Sequence, residues 1–373
     1  MKKVLLASAA LFAMALPALA GGPPPTKNTA AYQVIDLNPL LSLNADGSLA
    51  QSSSSAINDS GEVVFNANSG SYAFLGSKTL KVISMKGNDA VVYASRVNAN
   101  SVALGNYYTK SGSGSYTQDL TTNYTSVVPG FFGSGLNDSG VIAGSTYDDA
   151  GSQAGLYVKG QLVRIPQLDS TGLSDFGLQL NSWAVDVNNR GVAVGGYTLS
   201  TDDYSFSYEG AWVSDGKSYI EIPSLGGEFV FPADINNGAT VIGIAETAEG
   251  NPHAFLWSPF GRQTKDLGTL GGSYSSAEAV NDLNQVVGQS SISDNYSQAP
   301  HAFLWKRGRM VDLNTMIDPN LGLVVIDASG INRSGQIAAS VVTSDGSYHA
   351  VLLTPTATRR RGNPGTPVNS QKN

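Results

Sequence analysis

The sequence predicts an all-β chain folded as a seven-bladed β-propeller, with four strands per blade and closure by an N-terminal strand that completes the last blade. Three observations predict it. An apolar residue followed by Asn recurs at Ile57-Asn58, Val97-Asn98, Leu136-Asn137, Val187-Asn188, Ile235-Asn236, Val280-Asn281 and Ile331-Asn332, at intervals of 40, 39, 51, 48, 45 and 51 residues. Seven copies at a period of about 46 residues indicate a repeat architecture. Each full interval holds four short runs with strand chemistry, and the last copy lacks its fourth run while the start of the chain offers one.

The elements follow in chain order. Lys2 and Lys3 precede an apolar run from Val4 to Leu16, then Pro17 and Ala18-Leu19-Ala20. This is the pattern of a secretory signal, so residues 1–20 are expected to be removed after Ala20. The run is too short and wrongly flanked for a spanning helix, and no later stretch approaches 18 apolar residues. Residues 21–31 read as a linker and residues 32–355 as the propeller. The sixth repeat shows the blade plan: Ala277 to Asn281, Gln285 to Gly288, His301 to Trp305 and Met310 to Leu313. These runs are short, rich in Val, Phe and Trp, and bounded by Gly, Asn, Asp and Ser. A row of sandwiches would need about 100 residues per unit; four strands per ~46 residues suit a propeller blade. The seventh copy ends at Thr354-Pro355 after three runs, and Tyr32 to Asn38 matches the missing fourth. Pairing it there closes the ring and removes the open sheet edges. Residues 356–373 are Pro-, Thr- and Asn-rich and read as a disordered basic tail.

Composition narrows the function classes. Only 14% of residues are charged, against roughly 25% in ordinary globular chains. No cysteine is present, so neither a disulfide framework nor a cysteine zinc site can form. The formal charge is −7. Without Lys2, Lys3 and the tail, 16 basic residues face 29 acidic ones. An acidic body argues against nucleic acid as partner. The expectation is a soluble monomer, secreted to the outside of the cell or the periplasm, with no transmembrane anchor and no cofactor.

Two motifs carry a family resemblance. His253-Ala254-Phe255-Leu256-Trp257 and His301-Ala302-Phe303-Leu304-Trp305, with Asp266-Leu267-Gly268-Thr269-Leu270-Gly271-Gly272, resemble the defining elements of the extracellular HAF-repeat family. The seventh copy departs, with His349-Ala350-Val351-Leu352-Leu353, and copies two to four keep little beyond the Asn anchor. The resemblance implies an exported bacterial repeat protein and transfers no biochemical activity.

Candidate chemistry is sparse. The three histidines, His253, His301 and His349, each open a third strand, 17 to 20 residues after an anchor. Equivalent positions on a ring do not converge on one ion, so a structural role is expected, with no metal site and no catalytic triad. The acidic, glycine-bearing anchors, such as Asn58-Asp59-Ser60-Gly61, lack the distant bidentate Glu of a calcium loop; Asn there bonds its own backbone and turns the chain. Trp212, Trp257 and Trp305 occupy matching positions and are expected to pack between blades.

The connections after first and third strands are short and repetitive, whereas those after second and fourth strands are long and irregular. The latter share one face of the ring and include residues 147–153, 198–209, 291–300 and 169–181. Their Tyr, Ser, Asp and Asn content suits a binding surface on a rigid scaffold. The candidate binding residues are Tyr147, Tyr197, Asp202, Asp203, Tyr204, Tyr208, Asp294 and Tyr296. The leading reading is therefore a binding or interaction module for a glycan or a cell-surface protein, with no catalytic residue singled out. The alternative is a glycan-active hydrolase or lyase, and carboxylates clustered in the central funnel would favour it.

Overall fold

The computed structural model describes residues 30–41, 51–76, 79–85, 90–148, 151–165, 178–201, 207–295 and 297–356. The expected signal, most of the linker and nearly all of the basic tail lie outside the described residues. Seven four-stranded antiparallel sheets, six of them in chain order, form the ring. Blade one, for example, comprises Ser52–Ile57, Val63–Ala67, Gly70–Phe74 and Leu80–Ile83. Among the described residues, helical structure is limited to three short 3-10 turns. No helix among the described residues is long and apolar enough to cross a membrane.

Blade seven is built from both parts of the chain. Strands Leu323–Ile331, Ile337–Thr343 and Tyr348–Pro355 pair in sequence, and Tyr32–Asp36 adds antiparallel to the last, with Tyr32 opposite Pro355 and Asp36 opposite Val351. Flanking backbone bonds extend this seam, Thr356 N–H to Ala31 O at 2.9 Å and Leu37 N–H to Ala350 O at 3.0 Å. The His349 ring lies 2.8 Å from the Asp36 carboxylate across it.

The core lies between blades. Val194 and Ala211 of blade four pack with Phe255 and Trp257 of blade five. Trp212 reaches back to Ala143 and Leu156 of blade three, and Trp305 to Ile242 and Ala254 of blade five. The matching tryptophans thus each bury against the preceding blade, as their spacing predicts.

First strands form the inner wall, packing on one another around the ring. Every one carries a β-bulge at the third residue before its anchor: Ser55, Ser95, Ser134, Val185, Ala233, Glu278 and Ser329 have no partner opposite. The bulge crowds the first strand against the second. A Cβ on Gly144, Gly243 or Gly288 would sit 2.0–2.1 Å from a first-strand carbonyl oxygen. That contact explains the glycine in those second strands.

The anchors do more than turn the chain. Each Oδ1 accepts the backbone N–H four residues on, at 2.9–3.0 Å. Each Nδ2 donates to the carbonyl oxygen of the next anchor. Asn58 bonds Asn98, Asn98 bonds Asn137, and the series continues through Asn188, Asn236, Asn281 and Asn332 back to Asn58, at 2.9–3.1 Å. All seven are buried. The sequence reading captured the first role and missed the second, because an inter-blade bond leaves no local signature. Asn137→Ala removes both roles and should cost about 1–3 kcal/mol for each buried group left unpaired. Asn137→Asp keeps the turn acceptor and loses only the donor to Asn188, so thermal unfolding of the pair separates turn from ring. A melting temperature for Asn137→Asp equal to wild type would rule out a stabilising ring.

Candidate functional site

The bulges shape the channel. In four blades the bulged segment places a charged side chain toward the axis: Arg96, Asp186, Asp234 and Glu278 line a central cavity of about 220 Å³ together with the anchor ring. Asp234 accepts its own Ile235 N–H at 2.9 Å and, across blades, Val280 N–H at 2.8 Å. Asp186 is hydrogen-bonded to the Asp234 side chain. Burial and then the adjacent Asp234 charge hold Asp186 well above the usual carboxylate range, against the pull of Arg96.

Toward the loop face, Glu278 accepts from Ser276 Oγ at 2.9 Å. Burial raises its pKa, while Ser276 and Arg96 oppose the shift. Asp327 of blade seven stands beside it. Burial and then the Glu278 charge push Asp327 up to about 7, although its carboxyl accepts Ala328 N–H. Its Oδ1 is buried and has no hydrogen-bond partner among the described residues. Tyr274 is raised by burial and by the same two acids. The cavity wall therefore holds the carboxyls of Asp186, Asp234 and Glu278, with Arg96 acting on Asp186 and Glu278, and Asp327 adjoins Glu278. Carboxyl clustering is what the sequence reading set as the mark of its alternative. Arg96, Asp186 and Asp234 each stand two residues before an anchor, directly after the bulged residue, and Glu278 occupies the bulge itself. The bulge, which the sequence does not announce, is what brings them to the cavity.

The loop face carries a feature the sequence reading also missed. Tyr93, Tyr108, Phe132 and Tyr147 form a contiguous row over blades two and three, with ring centroids 6.2, 6.2 and 5.3 Å apart in turn. Tyr93 and Tyr147 are 56% and 52% exposed. The row is legible only after the blades are aligned. Tyr93 and Phe132 both stand five residues before an anchor, and Tyr108 and Tyr147 are each the penultimate residue of a second strand.

Of the sequence-predicted residues, Tyr147 joins this row, and Tyr208 and Asp294 are exposed. Tyr197 is a correction. It is 4% exposed, and its hydroxyl donates to Glu221, so it packs the blade instead of meeting a ligand. The reason is strand length: the second and third strands of blade four run to Thr201 and resume at Ser207, absorbing most of the expected 198–209 loop. Asp202, Asp203, Tyr204 and Tyr296 lie outside the described residues, as does most of 169–181.

The histidines are paired, not clustered. His253 Nδ1 meets Asp266 at 2.9 Å, His301 meets Asp312 at 2.7 Å and His349 meets Asp36 at 2.8 Å, each a third-to-fourth-strand contact. No group of three His, Asp or Glu among the described residues is placed to hold a metal ion.

No family model matches the chain. No curated protein matches it either. Solved structures resemble it in fold. The β-propeller domain of the Trilobed protease from Pyrococcus furiosus superposes with TM-score 0.53 at 10% identity, over 81% of this chain and 95% of that one. Streptogramin B lyase gives 0.51 at 11%, over 87% and 98%. TolB from Acinetobacter baumannii gives 0.40 at 10%, over 82% of this chain, which spans only 64% of TolB. At such identity the likeness is one of architecture.

Asp327 has a stability consequence. Its folded pKa lies above its unfolded one, so the native state holds the extra proton between about pH 4 and 7 and stability falls as pH rises through that window. Asp327→Asn should therefore raise the unfolding free energy at pH 8, by on the order of 1–3 kcal/mol, and with it the melting temperature, and do little at pH 4. Equal effects at the two pH values would show that Asp327 ionises freely.

Proposed function

We propose that this chain is an exported repeat protein of the HAF kind that acts as a binding module, capturing a glycan or a protein surface on the face formed by its second-to-third-strand hairpins. The row Tyr93, Tyr108, Phe132 and Tyr147 carries the reading. Exposed aromatic rings in contact form a rigid, low-entropy platform, and the blades beneath hold it still. The export signal expected at residues 1–20 and the acidic body agree with a ligand met outside the cytoplasm and with one that is not nucleic acid.

A second reading draws on the channel. Asp186, raised by burial and by the neighbouring Asp234 carboxylate, makes with it the kind of carboxyl pair that acid–base chemistry on a glycan requires. It is favoured by carboxyls with strongly raised pKa values, held there at a cost to folding.

A glycan array followed by product analysis distinguishes the two. Tyr93→Ala and Tyr147→Ala should each weaken capture by about 2 kcal/mol or more if they are true anchors. Tyr124→Ala, 73% exposed in the turn after a third strand, lies on the opposite face and should do nothing. Capture that survives both row substitutions would sink the module reading at this face. Cleaved product that disappears in Asp186→Asn and Asp234→Asn would establish the second reading.

A further inference from the structure

Counting five residues back from each anchor gives one level of the channel wall: Ser53, Tyr93, Phe132, Trp183, Phe231, Ser276 and Asp327. Four consecutive blades, two to five, contribute an aromatic ring. The remaining three, which are contiguous around the ring, contribute two serines and an acid. Phe231 is joined by Phe229 at 5.4 Å between centroids, and Trp183 lies over Gly196, where any side chain would strike its ring. The polar arc is deepened by Glu278, which bonds Ser276, and by Tyr274. The channel mouth is thus apolar along one side and hydroxylic and anionic along the other.

We infer that this mouth takes a glycan whose sugars carry free amino groups, with the sugar faces on the aromatic arc and an ammonium against Asp327 and Glu278. The inference rests on the binding reading above and adds the ligand class. A pyranose ring has the same two-sidedness as the mouth, an apolar face and a hydroxyl edge. The aromatic row crosses from blade two to blade three, from Tyr93 through Tyr108 and Phe132 to Tyr147, which suits an extended chain of repeating rings better than a single small cation.

The charge argument is separate. Arg96 stands against Asp186 and Glu278. Among the described residues, no cation reaches Asp327, and one of its oxygens has no partner. A ligand ammonium supplies the missing positive charge. It also relieves the repulsion between Asp327 and Glu278, the interaction that, after burial, holds Asp327 protonated near neutrality. Hydrogen bonds between charged groups contribute more than neutral ones, about 1.5–3 kcal/mol each, enough to set the preference.

The test is calorimetry and tryptophan fluorescence on the mature chain, with hexasaccharides of glucosamine, N-acetylglucosamine and glucose, and with hexalysine. The glucosamine oligomer should bind about tenfold or more tighter than the two neutral sugars. Asp327→Asn should erase most of that margin, and Tyr93→Ala should weaken all three sugars together. Glu278→Gln is the second variant, expected to act in the same direction as Asp327→Asn. Equal affinity for charged and neutral sugars, or an unchanged margin in both acid variants, overturns the amine inference and leaves the glycan reading standing. Failure of every oligosaccharide overturns both. Hexalysine binding as tightly as the glucosamine oligomer replaces the glycan with a cationic peptide.

Discussion

The structure depends on one repeated hydrogen bond. An anchor asparagine in each blade donates its side-chain amide to the backbone carbonyl of the anchor in the next blade, and the seventh returns to the first. Only Asn meets the requirement at this position. Its carbonyl oxygen closes its own turn while its amide, on the same short side chain, reaches outward; Asp lacks the donor, and Gln displaces both groups by a methylene. Because all seven amides are buried, an open ring would strand one donor and one acceptor at the break. The cycle therefore favours closure and fixes how far each blade is rotated from its neighbour. A second, incomplete circle reinforces it. Asp138, Asn189, Asn237, Asp282 and Asp59, each next to an anchor, accept backbone N–H groups from the neighbouring blade at 2.8–2.9 Å.

The fold was legible because its determinants are local and repeated. The Asn anchors, four strand-like runs per copy and the orphan strand at Tyr32–Asp36 are visible in a line of text. The seven-bladed ring and its closure follow from them. The channel was not legible. Glu278 sits in an ordinary-looking strand, and only the bulge it occupies directs it inward. Asp186 and Asp234 are 48 residues apart in sequence and meet because blades four and five are adjacent. Tyr197 failed for the opposite reason. Its neighbours read as a polar loop, yet Thr198, Leu199 and Ser200 continue the strand and pair with Glu209, Tyr208 and Ser207.

The blades divide their work. Blades five to seven keep the His–Asp contact between third and fourth strands, and with it the repeat motif. Blades two to four lack the histidine, and two of them carry the exposed aromatic row. Departure from the motif is thus concentrated where the surface is most adapted for contact. Glu278 and Asp327 both belong to blades that keep the motif.

Closure by the N-terminal strand sets an order in time as well as in space. Tyr32 pairs with Pro355, more than three hundred residues away. The strand made first in synthesis finds its partner last. Individual hairpins can form as they emerge, since their pairing is local, but the seventh sheet and the asparagine cycle wait for nearly the whole chain. Long-range pairing of this kind slows the final step. An unclosed ring exposes the edge of its last sheet in the interval, open to pairing with another chain.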